Sequence, residues 1–212
     1  MWKALRLARG FFFLGGATMA DILQAAKSYA NLLDVEYQIV LGKKNKNIAI
    51  SIIFDEVHFF HLAGLQYLKD LSGILSESRD QIFRRILRGS LQKQLFESSK
   101  SYAEIADRIE YLSYLEQIMD SNETVFKYNS RLDVFSAVQA DFLMKNEIQA
   151  RNVFTFLSQN ASTGKYFCRS FFPQTDRDYS EGQTRWTLLY KKKIWKSTGQ
   201  ETVLYDRMRP IS

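Results

Sequence analysis

The sequence is poor in the residues that build disulfides, flexible linkers and membrane spans. Its 212 residues include one cysteine, two prolines and two histidines. One cysteine excludes an internal disulfide and a Cys-rich zinc site, which fits a reducing compartment such as the cytoplasm. No apolar run approaches the roughly 20 residues that a bilayer-spanning helix needs. We therefore expect one compact cytoplasmic domain with no membrane association.

Several families of enzyme are also excluded by missing motifs. The chain has no phosphate loop, no dinucleotide-binding glycine fingerprint, no nucleophile elbow and no zinc-protease helix. Gly164-Lys165, after Ser162-Thr163, is too short to form a phosphate cradle. Any chemistry must come from other residues.

What the chain does contain is aromatic and basic. It has 16 Phe, 11 Tyr and 3 Trp residues, a hydrophobic content of 46%, a formal charge of +6 and a pI near 9.3. The hydrophobic content is sufficient for one domain with a full core. The positive charge favours a polyanionic partner such as a nucleic acid, although a solvated basic surface would give the same composition.

The first 18 residues resemble a short signal peptide, because Lys3, Arg6 and Arg9 precede a seven-residue apolar run. That run is near the lower limit for such a signal, and a secretory segment stays the alternative. We expect residues 1–18 to be a leader, either a mis-assigned start or disordered. A single domain would then cover residues 19–196, with a C-terminal tail at 197–212.

Hydrophobic periodicity predicts an α+β fold. Helical spacing runs from Asp21 to Leu33, alternation and an Ile-rich run predict a β-hairpin over residues 37–54, and Asp55 can cap a helix reaching towards Leu71. The middle is helical and the C-terminal half alternates, so we expect an antiparallel sheet there. The predicted strands are 125–128, 141–145, 153–157, 166–172 and 186–190.

Both histidines fall in the segment Asp55-Glu56-Val57-His58-Phe59-Phe60-His61-Leu62. On a helix, His58 and His61 share one stripe with core leucines, so both rings should be half-buried. Gly64, costly within a helix, suggests a close neighbour. Three interpretations stay open. The pair could bind a metal, but the sequence offers no further His and only one Cys as ligands. It could be purely structural, which needs only hydrogen-bond partners nearby. It could also catalyse acid-base chemistry, since imidazole rings titrate near pH 6.5.

Acid-base cleavage of RNA also needs cations for the phosphate, and the strand half offers several. Lys165 and Arg169 would share one strand face, whereas Ser170 would point away in an ideal strand. Arg185 and Thr187 flank Trp186. We expect Cys168 to be a buried, inert thiol, and the run 191–193 to lie in solvent or to contact the RNA backbone.

Two stretches resemble a known group of nucleases. His58-Phe59-Phe60-His61-Leu62-Ala63-Gly64-Leu65 after the hairpin, and Arg169-Ser170-Phe171-Phe172 with the run from Trp186 to Ile194, are similar to the phage and mobile-element branch of the barnase, EndoU, colicin and RelE-like (BECR) nuclease domains. Tyr190 stands where that branch would have a lysine. The cation that accompanies the histidines therefore stays open among Lys165, Arg169 and Arg185.

The resemblance implies a metal-independent endoribonuclease of a phage or mobile element, with N-terminal helices against an antiparallel sheet. The resemblance implies that His61, within His-Leu-x-Gly-Leu, and His58 belong to the nuclease site. It implies the same, less directly, for Arg169, Ser170 and Thr187. We interpret His58, His61, Arg169 and Thr187 as catalytic, and Lys165, Ser170 and Arg185 as substrate-binding. No metal or cofactor is expected. The expected partners are RNA and an immunity or antitoxin protein.

Two other interpretations remain. The chain could be a catalytically silent RNA- or protein-binding module with the same fold, or an accessory protein of a phage or mobile element with no RNA role. The sequence gives no indication of the oligomeric state.

Overall fold

The computed structural model describes residues 21–122, 124–132 and 136–208, so the leader expected at residues 1–18 lies outside the described residues. The helices are α1 (Ile22–Ala30), α2 (Glu56–Leu62), α3 (Arg79–Leu87), α4 (Lys93–Glu97), α5 (Tyr102–Leu112) and α6 (Leu115–Asp120). The strands are β1 (Val35–Lys43), β2 (Lys46–Ile53), β3 (Thr124–Lys127), β4 (Phe142–Ile148), β5 (Arg151–Gln159), β6 (Tyr166–Pro173), β7 (Thr184–Trp195) and β8 (Glu201–Asp206).

The α+β class is confirmed, but the arrangement of the strands differs from the expected one. The strands follow the order β1-β2-β6-β5-β4-β3-β7-β8, and β7 also pairs with β1, so seven strands close into a barrel. The predicted hairpin is therefore part of the same sheet as the C-terminal strands. Its β2 pairs with β6 in parallel, so the sheet is not purely antiparallel. β1 is paired along both edges, whereas β2 meets β6 through the one pair Ile52–Tyr166.

The segment expected to be a tail contains β8, which pairs with β7 in antiparallel register from Ile194–Glu201 to Tyr190–Asp206. No residue of β8 is fully buried. The strand is held by its backbone pairing and by Leu204 and Tyr205, which pack partly buried against the core. Burial along it does not alternate, which is why the hydrophobic pattern gave no indication of a strand.

The helix that begins after Asp55 is shorter than predicted. It ends at Leu62, and two 3₁₀ turns, Leu65–Tyr67 and Lys69–Leu71, take its place. Gly64 causes the break, since its φ of +79° is a left-handed conformation that side chains disfavour. A Cβ on Gly64 would lie 2.8 Å from Ile105 Cγ2 and 3.0 Å from Arg108 Cδ. The close neighbour expected at this glycine is therefore present, and it is α5.

The lysines at 191 and 193 are buried, contrary to the expected contact with solvent or RNA. Lys193 is 4% exposed, and its Nζ lies 2.7 Å from Glu116 Oε1 and 3.0 Å from Asp120 Oδ2. Lys191 is 1% exposed and donates from Nζ to the carbonyls of Met119 and Ser121. Alternate residues of β7 face inward onto α6, so the two lysines fasten that helix to the barrel.

The interior of the barrel is apolar near Cys168. This thiol is 2% exposed, and burial raises its pKa to about 12. A buried thiol with so high a pKa is unreactive at neutral pH, as the sequence predicted.

Candidate active site beside strand β6

Both histidines lie on α2, which is fixed at its start. The Asp55 carboxylate accepts a hydrogen bond of 3.1 Å from the Val57 N–H and so caps the helix. Phe59 and Leu62 are fully buried, which orients α2 on the core. His58 and His61, one turn apart, lie half-buried on the flank of that buried face. The predicted half-burial of the two rings is confirmed.

His58 stacks on β6. Its ring lies parallel to that of Phe167, with centroids 4.4 Å apart and planes inclined by 9°. Nδ1 is buried and has no hydrogen-bond partner, which leaves Nε2 as the nitrogen that can exchange a proton. Burial lowers the pKa of His58, and Asp55 partly opposes that effect. The positive groups His61 and Arg169 lower the pKa further.

His61 lies among cations. Burial lowers its pKa, Arg79 at the start of α3 lowers it further, and a hydrogen bond with Gln66 acts in the opposite direction. Arg169 adds to the lowering. A histidine with a lowered pKa is neutral at pH 7, so its free nitrogen can accept a proton.

Arg169 reaches the histidines because β6 carries a bulge. Phe156 pairs with Ser170 and Leu157 with Cys168, so Arg169 is an extra residue with no partner on β5. A bulge resets the alternation of side chains along a strand. Cys168 and Phe171 are buried, whereas Arg169 is exposed and Ser170 half-buried between them. Ser170 therefore lies away from the core like Arg169, which corrects the expectation that the two residues face opposite ways.

A cleft of about 460 Å³ is lined by Tyr67, Arg108 and Ser170, and neither histidine is part of its wall. Two chain connections join the cleft to the histidine pair. Gln66, which acts on the pKa of His61, precedes the cleft residue Tyr67, and Arg169 precedes Ser170. The cleft therefore adjoins, along the chain, two residues that influence the histidines.

Lys165 immediately precedes β6, and its side chain is already in an ion pair. Its Nζ forms an ion pair of 2.6 Å with Glu36 Oε2, and Glu36 is also bonded by Ser51. Burial would raise the pKa of Glu36, but the bonds from Lys165 and Ser51 lower it, so the carboxylate stays charged. The predicted role of Lys165 in substrate binding would require this ion pair to open.

Arg185 and Thr187 are not brought to the histidines. Both lie on β7, where Thr187 pairs with Gly42 at the hairpin tip and Arg185 pairs with Phe126 of β3. α2 follows the opposite end of the hairpin, where Glu36 pairs with Ile53. The six residue steps from Glu36 to Gly42 span about 20 Å of extended strand. The site at the histidines therefore contains His58, His61, Arg169 and Ser170, without Arg185 or Thr187.

Four residues of this site were not identified from the sequence: Gln66, Tyr67, Arg79 and Arg108. They come from a 3₁₀ turn, the start of α3 and the flank of α5, and none belongs to a motif. The one local indication was Gly64, whose missing side chain makes room for Arg108.

Within residues 21–122, 124–132 and 136–208, no group of three or more His, Cys, Asp or Glu side chains is arranged to hold a metal ion. None of the helices described has the length and apolar character needed to cross a membrane.

Comparison with protein-family models gives one match over nearly all of the described chain. Residues 21–208 match the family described as phage-Barnase-EndoU-ColicinE5/D-RelE like nuclease4. The match includes both histidines, the bulge on β6 and β8. Comparisons with curated proteins and with solved structures give no significant match.

Proposed function

Because the chain belongs to this family of phage-Barnase-EndoU-ColicinE5/D-RelE like nucleases, we propose that it is an endoribonuclease that cleaves RNA without a metal ion. The observation that supports the proposal is one arrangement of side chains. Two half-buried histidines, both with lowered pKa values, lie beside Arg169 and Arg79, and neither arginine has an ion pair in the described part of the chain.

In the proposed reaction, the 2′-oxygen of a ribose attacks the adjacent phosphorus while the bond from that phosphorus to the next nucleotide's 5′-oxygen breaks. A general base takes the proton of the 2′-hydroxyl, and a general acid gives a proton to the departing 5′-oxygen. The products are a 2′,3′-cyclic phosphate and a 5′-hydroxyl.

We assign the general base to His61. Its lowered pKa keeps the ring neutral at pH 7, as a base requires. His58 assists as the general acid through Nε2, since its Nδ1 is buried. A bound phosphate would supply the negative charge that the apo site lacks, and would raise the pKa of His58 so that the ring carries a proton.

Arg169 and Arg79 are the cations of the proposed mechanism. The phosphorane-like transition state gathers negative charge on its oxygens, and fixed positive groups stabilise it. Arg169 takes this role in preference to Lys165, because Lys165 is paired with Glu36. Ser170, beside Arg169 on the cleft wall, is placed to donate a hydrogen bond to a phosphate oxygen.

We further propose that the protein acts in the cytoplasm as part of a phage or other mobile element. The buried, unpaired Cys168 fits a reducing compartment. A ribonuclease in the cytoplasm endangers the cell that makes it, so an immunity or antitoxin protein is the partner that the proposal implies.

The proposal is tested by incubating purified protein with tRNA, ribosomal RNA and mRNA in excess EDTA. We expect cleavage that leaves 2′,3′-cyclic phosphate and 5′-hydroxyl ends, detected by end-specific labelling. Salt-dependent RNA binding with no cleavage would instead identify a silent RNA-binding module. Intact RNA with no binding at low salt would identify an accessory protein without an RNA role.

A further inference from the structure

The cleft that Ser170 lines also contains a half-buried arginine with no acidic partner in the described chain. Arg108 of α5 lines the cleft between two rings, with Cζ 5.4 Å from the centroid of Tyr67 and 5.2 Å from that of Phe172. Its Nε is buried without a hydrogen-bond partner. Within the described chain, no carboxylate forms an ion pair with this guanidinium.

A second arginine in the same cleft shows how a satisfied guanidinium is held there. Arg151 donates to Asp107 Oδ2 at 2.6 Å and from Nε to the Gln174 carbonyl at 3.0 Å. Asp107 is therefore occupied by Arg151, and Glu104, the other acid of the cleft, is exposed and not paired with Arg108. The Arg108 guanidinium contacts the Tyr67 and Phe172 rings but has no acid, and its buried Nε lacks an acceptor, so an anion in the cleft would complete its contacts.

The position of Arg108 is built into the fold. The bare Cα of Gly64 lets the aliphatic part of Arg108 pack against the turn after α2, since a Cβ there would lie 3.0 Å from Arg108 Cδ. The same turn carries Gln66, which bonds to His61. Arg108 is thereby fixed to the segment that holds the general base.

We propose that Arg108 binds a phosphate of the RNA strand next to the phosphate that is cleaved, which makes the cleft a nucleotide subsite. A guanidinium matches phosphate geometry with two parallel hydrogen bonds. Tyr67 is 44% exposed and offers a ring on which a base can stack. The inference rests on the proposed ribonuclease function and adds to it where the substrate strand lies.

The test uses a tetranucleotide with 2′-O-methyl groups, which lacks the nucleophile and so binds without being cut. We expect Arg108→Gln to weaken its binding about tenfold, and to reduce the slope of log affinity against log salt by about 0.7, the value for one phosphate contact on a single strand. Arg88→Gln removes the same charge from an exposed position at the end of α3 and serves as the control.

A second pair of variants protects the test against misfolding of Arg108→Gln. Thr175 is exposed and lines the same cleft. Thr175→Glu adds a negative charge without disturbing a buried group and should weaken binding, whereas Thr175→Gln should not. Wild-type affinity and salt slope in both Arg108→Gln and Thr175→Glu would overturn the proposal.

The subsite and the ribonuclease function fail in distinguishable ways. If Arg108→Gln weakens binding of the tetranucleotide while the wild type leaves RNA intact, the subsite stands and the nuclease proposal falls. If the wild type cuts RNA and Arg108→Gln cuts with unchanged kcat/KM, the nuclease proposal stands and the subsite falls.

Discussion

Two groups of basic side chains on opposite sides of the barrel are held in different ways. On β7, Lys193 is buried against Glu116 and Asp120, and burial, which alone would lower its pKa, is outweighed by these two acids, so the pKa is raised. Beside β6, Arg169 and Arg108 have no acidic partner in the described chain. Lys193 has its counter-ions within the fold, whereas the two arginines have none there and are available to a ligand.

The difference separates structural cations from functional ones. A buried ion pair whose partners all lie within the chain contributes to holding its elements together, as α6 is held to β7. Arg169, an exposed cation without an ion pair next to two histidines, contributes nothing comparable to the fold, which fits a site that binds an anion. The comparison predicts that substitutions on the two sides will affect different properties.

The largest expected effect is on stability, at Lys193. Lys193→Met leaves Glu116 and Asp120 without their cation, and we expect it to lower the free energy of unfolding by about 3 kcal/mol. Lys192→Met is the matched control, because the pair of Lys192 with Glu201 is on the surface and contributes under about 1 kcal/mol. Urea unfolding of both variants measures the difference. Equal losses of unfolding free energy in the two variants would show that the buried ion pairs of Lys193 contribute no more to stability than a surface pair.

The next effect is on catalysis, at Arg169. Arg169→Gln should reduce kcat/KM for RNA by about a hundredfold, since it removes a cation from the transition state, and should leave stability within about 0.5 kcal/mol. Arg185→Gln removes the same charge from an exposed position on β7 and should cut RNA at the wild-type rate. Equal losses of activity in the two variants would mean that charge acts over the whole surface and not at the histidines.

The sequence did not predict which cations are structural and which belong to the candidate site. The α+β class, the hairpin and the half-buried histidines follow from local periodicity, and these predictions are confirmed. Closure of the barrel between β1 and β7 and the bulge at Arg169 depend on pairing between distant strands, which no local pattern specifies. Lys191 and Lys193 were misassigned because a run of lysines is usually solvated, and only the position of α6 supplies their partners.

The smallest expected effect is on the pH dependence of stability. The folded protein disfavours protonation of His58 and His61, so the unfolded chain, with ring pKa values near 6.5, binds more protons. The contribution of the two neutral histidines to the free energy of unfolding is therefore complete above pH 6.5. It decreases as the pH falls through their lower pKa values in the folded state.

Urea unfolding between pH 5 and 7.5 should show this loss at the acidic end, and the double variant His58→Gln with His61→Gln should show less of it. NMR titration of the two rings gives a second measurement, in which Arg169→Gln should raise both midpoints. Midpoints at or above 6.5 in the wild type would contradict the electrostatic account of the site.

The most direct test of the central claim compares RNA cleavage in EDTA by His61→Ala and Val57→Ala. Both substitutions truncate a side chain on α2, but Val57 is exposed and lies outside the site. A general base contributes about a hundredfold to ten-thousandfold, so we predict a loss of that size in His61→Ala and wild-type rates in Val57→Ala. Cleavage by His61→Ala at the wild-type rate would contradict the account.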